Sequence, residues 1–132
     1  MKIAVTGGAG FVGSHIVDAL VLRGDEVIVI DHYKREKLRF ENAGSRIHKL
    51  SFGHETVEQI FADEKPDVVV HLAAQISVTA SITDPIDDAQ RNIIESLKLV
   101  RIAEHAGCKR FVFISSGGAI YGDHPVRPTP LL

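Results

Sequence analysis

Gly7, Gly10 and Gly13 recur at every third residue of the segment Thr6-Gly7-Gly8-Ala9-Gly10-Phe11-Val12-Gly13, and an acid, Asp31, follows downstream. The segment leaves an apolar run and enters a helical pattern. Glycine at those positions lets the chain turn tightly, bring bare backbone against a ligand, and pack a helix start closely on a sheet. The helix N-terminus then presents free N–H groups and the positive end of its dipole, which suits a pyrophosphate. Gly7, Gly10, Phe11, Val12 and Gly13 are therefore candidate contacts to a dinucleotide. A carboxylate at Asp31 can accept from ribose hydroxyls and repels a 2′-phosphate, which favours NAD over NADP. Lys34 and Arg35 stand close by and could accommodate the extra phosphate. Glycines that only turn the chain would need neither the strand before them nor the acid after. A nucleoside-triphosphate loop is a second alternative, because Gly8 and Gly13 bracket four residues. It fails, since Ser14-His15 stand where that loop needs a lysine.

The elements that must position this turn follow from the apolar pattern. Ile3–Val5, Val27–Ile30, Val68–Val70 and Arg110–Ile114 are β-branched or aromatic runs without in/out alternation, as buried parallel strands are; Arg46–Leu50 is a weaker fifth. Val12, Ile16, Ala19 and Leu20 predict one apolar face of a helix closed by Gly24, and a short helix is expected over Thr56–Ala62 before Pro66. The longest predicted helix is Thr83–Ala106. Asp84 can cap it, Pro85 suits its first position, Asp87 and Asp88 favour its positive end, and Gly107 closes it. Its stripe of Ile86, Ala89, Ile93, Leu97 and Val100 is expected to face mostly the core. Strands alternating with helices imply an α/β, doubly wound parallel sheet with right-handed crossovers. Asp123–Leu132 holds three of the five prolines and is expected to be a loop.

Composition narrows the partners. The 132 residues suffice for one domain, with 45% hydrophobic and 24% charged residues and a net charge of −2. Beyond the short cluster at Lys34–Arg39 no basic patch exists, which argues against nucleic acid. No apolar stretch approaches the roughly 20 residues that span a bilayer. The single cysteine, Cys108, excludes an internal disulfide and fits the cytoplasm. Seven histidines are scattered without a helical pair or a cysteine cluster, so no metal site is expected. His71 ends a buried run and reads as a hydrogen-bonded structural residue; Cys108 has no evident base beside it.

With these residues in view, the chain resembles the N-terminal part of the extended short-chain dehydrogenase/reductases, and among them the NAD-dependent nucleotide-sugar epimerases and dehydratases, UDP-glucose 4-epimerases most of all. The resemblance runs through the Thr6–Gly13 turn, Asp31, the segment His71-Leu72-Ala73-Ala74-Gln75, then Val78, Ser81, Pro85, Asn92, Ser115-Ser116 and Tyr121-Gly122. It implies a Rossmann-like sheet in the order 3-2-1-4-5. It also implies that Leu72, Ala73, Ala74 and Gln75 wall the cofactor, that Asn92 supports the site, and that Ser115 lies beside it. The implied reaction passes hydride from a sugar carbon to NAD and back through a keto-sugar. In that reaction Ser116 would bond the reacting oxygen, and a tyrosine with a lysine four residues on would act as base.

Several positions depart from that pattern. The Ser/Thr expected four residues before the tyrosine of Tyr121-Gly122 would be Gly117, and Ser116 is favoured by counting from the strand end. Leu50-Ser51 stand where the resemblance places an acid near the adenine, and Glu95 stands where it places a glycine. No Tyr-x-x-x-Lys follows the fifth strand; Pro125 occupies the lysine position after Tyr121. Tyr33-Lys34-Arg35-Glu36-Lys37 has the spacing but follows the second strand, beside the adenosine end. The expectation is thus a cofactor domain over 1–122 and a loop over 123–132, truncated before a substrate domain and inactive alone, with a UDP-sugar as the parent's substrate. A homodimer through the long helix is a further implication. A dehydratase or reductase on the same scaffold, and a non-catalytic NAD-binding module, remain as alternatives.

Overall fold

The structure, a computed structural model, describes residues 1–32 and 40–121. The Tyr33–Lys37 segment, the Lys34–Arg39 cluster and the expected loop over Asp123–Leu132 lie outside the described residues. The sheet has five parallel strands in the order β3-β2-β1-β4-β5, as expected. They are β1 (Lys2–Thr6), β2 (Glu26–Ile30), β3 (Ser45–His48), β4 (Val68–His71) and β5 (Arg110–Phe113). Thr6 pairs in register with both Ile30 and His71, and His71 with Phe113. The carboxyl ends of β1, β2, β4 and β5 therefore finish level, which puts every strand-end residue on one rim.

Each inner strand buries both faces. Ala4, Ile30 and Val69 join Phe52, Val57, Phe61, Leu99 and Ala103 on one side, beneath α2 (Thr56–Glu64) and α5 (Ser96–His105). Ile3, Val5, Val27 and Val29 pack with Val17 of α1 (Phe11–Leu22) on the other. At about 1.5–3 kcal/mol per large side chain buried, these two clusters are the main force holding the rim in place. Gly24 at φ +87° and Gly107 at φ +81° close α1 and α5, as expected of helix-ending glycines.

The segment after β4 differs from expectation in two ways. A short helix, α3 (Val78–Thr83), precedes Asp84, and Ser77 caps it by accepting from the Ala80 N–H at 3.3 Å. Thr83 ends this helix rather than opening the next. The long helix then starts at Pro85 as α4 (Pro85–Ala89), with Asp84 accepting from the Asp87 N–H at 3.0 Å. It runs through a π-helical segment, Gln90–Glu95, into α5.

The apolar stripe of this helix does not face the core. Ile86, Ile93, Leu97 and Val100 are 82%, 56%, 58% and 41% exposed, whereas Ser96, Leu99 and Ala103 are buried. The helix is apolar on two sides, and periodicity alone does not say which side meets the sheet. The polar Ser96 disguises the true inner face, and it is buried because it bonds His71. Similarly, α1 buries Gly13, Ser14 and Val17, while Val12 stays 56% exposed over the rim.

Candidate functional site

Above the carboxyl ends of β1, β2 and β4 lies a cleft of about 570 Å³. The glycine turn forms its floor. Gly7 sits at φ +72°, and its N–H bonds the Ile30 carbonyl at 2.9 Å, which ties the turn to β2. A Cβ on Gly7 would come 2.9 Å from the Ala73 nitrogen, so the wall after β4 can press on the turn only because that side chain is missing. A Cβ on Gly13 would fall inside the Gly7 carbonyl oxygen and 2.8 Å from the Gly8 Cα. That close approach brings α1 down on the turn and aims its first N–H groups into the cleft. Gly10 is the N-cap, with no side-chain cap and no acid in the first turn, so this helix end is left to a ligand.

Asp31 closes the cleft beyond β2. Its carboxylate accepts from the Ala9 N–H at 3.2 Å and lies 3.8 Å from the His32 ring. The carboxylate is thereby fixed between the glycine turn and the end of the strand, where a ribose hydroxyl would meet it.

The opposite wall is Leu72, Ala73, Ala74 and Gln75, all of which line the cleft as their sequence positions predicted. Asn92 holds this wall rather than lining it. Its Oδ1 accepts from the Gln75 N–H at 2.8 Å, and its Nδ2 donates to the Gln75 carbonyl at 2.9 Å and to Asp88 at 3.1 Å. The Gln75 side chain reaches back to Asp88 at 2.9 Å. One side chain thus satisfies both backbone groups of an irregular segment that has no sheet partner there.

Beneath the wall, His71 is 2% exposed. Its Nδ1 lies 2.6 Å from Thr6 Oγ1 and its Nε2 3.1 Å from Ser96 Oγ, linking β1, β4 and α5. Burial pushes its pKa down from 6.5 to about 4, so the ring is neutral near pH 7. A buried, doubly bonded, neutral imidazole is the structural residue expected there.

Ser115 and Ser116 follow β5 on the same rim and are exposed. The Ser116 carbonyl accepts from the Ile120 N–H at 3.2 Å where the short α6 (Gly117–Tyr121) begins. Of this segment it is Ile114 that lines the cleft. Ser51, Phe52, Ile76, Arg91 and Glu95 also line it and were not anticipated. The strand-end rule for parallel sheets could have flagged Ser51 and Phe52, which follow β3.

Other groups take no part. Cys108 donates to the Pro66 carbonyl at 2.9 Å, and burial pushes its thiol up, which disfavours a nucleophilic thiolate. Among the described residues no three His, Cys, Asp or Glu side chains are placed to hold a metal ion, and no helix is long and apolar enough to cross a membrane.

The residues present fit a dinucleotide: a side-chain-free cradle at an uncapped helix end, a fixed carboxylate beyond it, and a facing wall of small residues. Comparison with known proteins agrees with that geometry. UDP-glucose 4-epimerase of Mycolicibacterium smegmatis is 37% identical over 98% of this chain, which spans 43% of that protein's length. The solved UDP-glucose 4-epimerase of Thermotoga maritima, with UDP-glucose, superposes with a TM-score of 0.87 at 45% identity, over 98% of this chain and 43% of the other. That of Thermus thermophilus, in complex with NAD, gives a TM-score of 0.84 at 42% identity, over 95% and 40%. Residues 3–130 match the NAD dependent epimerase/dehydratase family, and the chain belongs to it.

Proposed function

We propose that this chain binds NAD across the carboxyl ends of β1, β2 and β4, and that the whole protein is an epimerase acting on a UDP-sugar. The observation that carries the reading is the Gly7–Gly13 contact, which no side chain would permit and which presents the α1 N-terminus to the cleft. In this reading the N–H groups at Phe11, Val12 and Gly13 hold the pyrophosphate. Asp31 accepts from the adenosine ribose. Leu72, Ala73, Ala74 and Gln75, held by Asn92, exclude water from the other side. The nicotinamide, when bound, supplies the hydride acceptor and donor. Ser115 and Ser116 lie at the β5 end of the rim, with Ser116 assigned to bond the reacting sugar oxygen. Residues 1–122 form the cofactor domain in this assignment, the cytoplasm is its compartment, and the exposed Ile93–Leu97–Val100 face is where a second copy would pack.

Titration of the purified chain with NAD and NADP tests the cofactor reading. NAD is expected to bind more tightly, and Asp31→Asn is expected to narrow the difference; binding of neither dinucleotide refutes the proposal. Interconversion of UDP-glucose and UDP-galactose is expected to be absent in the 132-residue chain, because no Tyr-x-x-x-Lys follows β5 in it. Turnover by this chain would overturn that assignment of roles. Sedimentation of the chain and of Leu97→Glu tests the dimer face, and an unchanged mass between the two argues against it.

A further inference from the structure

The cleft contains a second carboxylate with a different setting from Asp31. Glu95 lines it from the π-helical segment of the long helix, on the side where Ser51 and Phe52 also line it. Its carboxyl group lies directly over Gly53. A Cβ added to Gly53 would fall within that carboxyl and 2.7 Å from the Glu95 Cγ. The turn after β3 therefore leaves room for this acid by having no side chain of its own.

Among the described residues nothing donates a hydrogen bond to the Glu95 carboxylate. Arg91, one turn earlier, is the nearest basic group to act on it, but its Nε is committed to Asp87 at 2.8 and 2.9 Å. A half-buried carboxylate without a donor, at the edge of a ligand cleft, is poised for a donor on the ligand.

The sheet order says which part of the ligand arrives there. Phosphates at the α1 N-terminus sit over β1, and a ribose at Asp31 sits at the end of β2. The next strand outward is β3, whose following turn carries Ser51, Phe52 and Gly53. The base beyond the ribose therefore lies between the Phe52 segment and Glu95. Adenine has one donor on its Watson–Crick edge, the exocyclic 6-amino group; its ring nitrogens there only accept. Resting on the NAD reading above, we infer that Glu95 is the base-specificity residue of this cleft, accepting from the adenine 6-amino group, with Gly53 as the gap that lets it do so.

The test uses NAD and nicotinamide hypoxanthine dinucleotide, in which a carbonyl oxygen replaces that amine. A carboxylate accepts from the amine and repels the oxygen, whereas an amide can turn to serve either. The wild-type chain is expected to bind NAD at least about tenfold more tightly than the hypoxanthine analogue, as for the loss of one charge-assisted hydrogen bond. Glu95→Gln is expected to bring the two within about threefold, as a flipped amide would. Gly53→Ala, which displaces the acid without removing it, is expected to erode the preference in the same direction. Melting curves of each variant confirm that the fold is kept. Equal binding of the two dinucleotides by the wild-type chain overturns the assignment, and so does a preference that Glu95→Gln leaves intact. A wild-type chain that binds neither dinucleotide refutes the NAD reading itself, a result distinct from both.

Discussion

His71 makes the stability of this chain depend on pH in a way that can be calculated. The ring is neutral in the fold because burial holds its pKa at about 4, against 6.5 for a solvated histidine. Below pH 6.5 the unfolded chain takes up a proton that the folded chain refuses, so acidification favours unfolding. The contribution is fully present above pH 6.5 and is lost progressively as the pH falls towards 4. Each pH unit in that window costs about 1.4 kcal/mol, so at pH 5 the loss is about 2 kcal/mol relative to pH 7.5. Other groups titrate in the same range, and a variant without the imidazole isolates the effect. Glutamine at position 71 keeps a donor and an acceptor within reach of Thr6 and Ser96 but does not titrate. Urea unfolding of the wild-type chain and His71→Gln at pH 7.5, 6 and 5 gives the two slopes. The variant is expected to be less stable at pH 7.5, since it loses the ring contacts with Phe52 and Phe113. Its stability should nevertheless fall by about 2 kcal/mol less than the wild type between pH 7.5 and 5. Parallel slopes would refute the reasoning and mean that His71 is charged, or solvated, in the folded chain.

Two further predictions concern the cleft. Gly13→Ala forces a Cβ into the Gly7 carbonyl, and the backbone shift that relieves it should cost about 3 kcal/mol and at least a tenfold loss of NAD affinity; urea unfolding and calorimetric titration read the two effects, and a variant matching the wild type in both would show that the turn is not closed as described. Asn92→Ala leaves both backbone groups of Gln75 without their partner, at about 2 kcal/mol; hydrogen exchange at the Gln75 amide should quicken selectively, and unchanged protection there would remove Asn92 from the role of clamp.

The parts of this molecule that could be read from the amino-acid sequence are those in which local chemistry and global fold impose the same residue. A glycine at 13 answers both a steric demand and a ligand, and the strand before it needs apolar residues on both faces. The cap at Asp84-Pro85 was legible for the same reason, since orphan N–H groups ask for a specific side chain. What escaped were features decided by long-range contact. The inner face of α5 includes Ser96, a residue that belongs inside only because His71 waits for it across the sheet. Helix α3 was hidden because Thr83, placed at a boundary, fits the end of one helix as well as the start of another. Glu95 and Ser51 lie far apart in sequence and share a cleft only once β3 and the long helix are docked. The residues with roles in the cleft that were named beforehand all sit next to a strand end, where position along the chain already implies position in space.

The π-helical segment at Gln90–Glu95 has a consequence for how this gene can change. A turn that holds one residue more than an α-helix allows sets the two halves of the long helix about 100° out of step. Asp87, Asp88 and Asn92 keep their bonds to one another and to Gln75 on one side of it, and Ser96, Leu99 and Ala103 meet the sheet on the other. Deletion of a single codon between 90 and 95 would let the helix become regular, which for an isolated helix is a gain. Here it would swing the Gln75 clamp away from the wall or carry Ser96 away from His71. The segment should therefore tolerate substitutions while resisting any change of length, the reverse of what is expected of a surface loop.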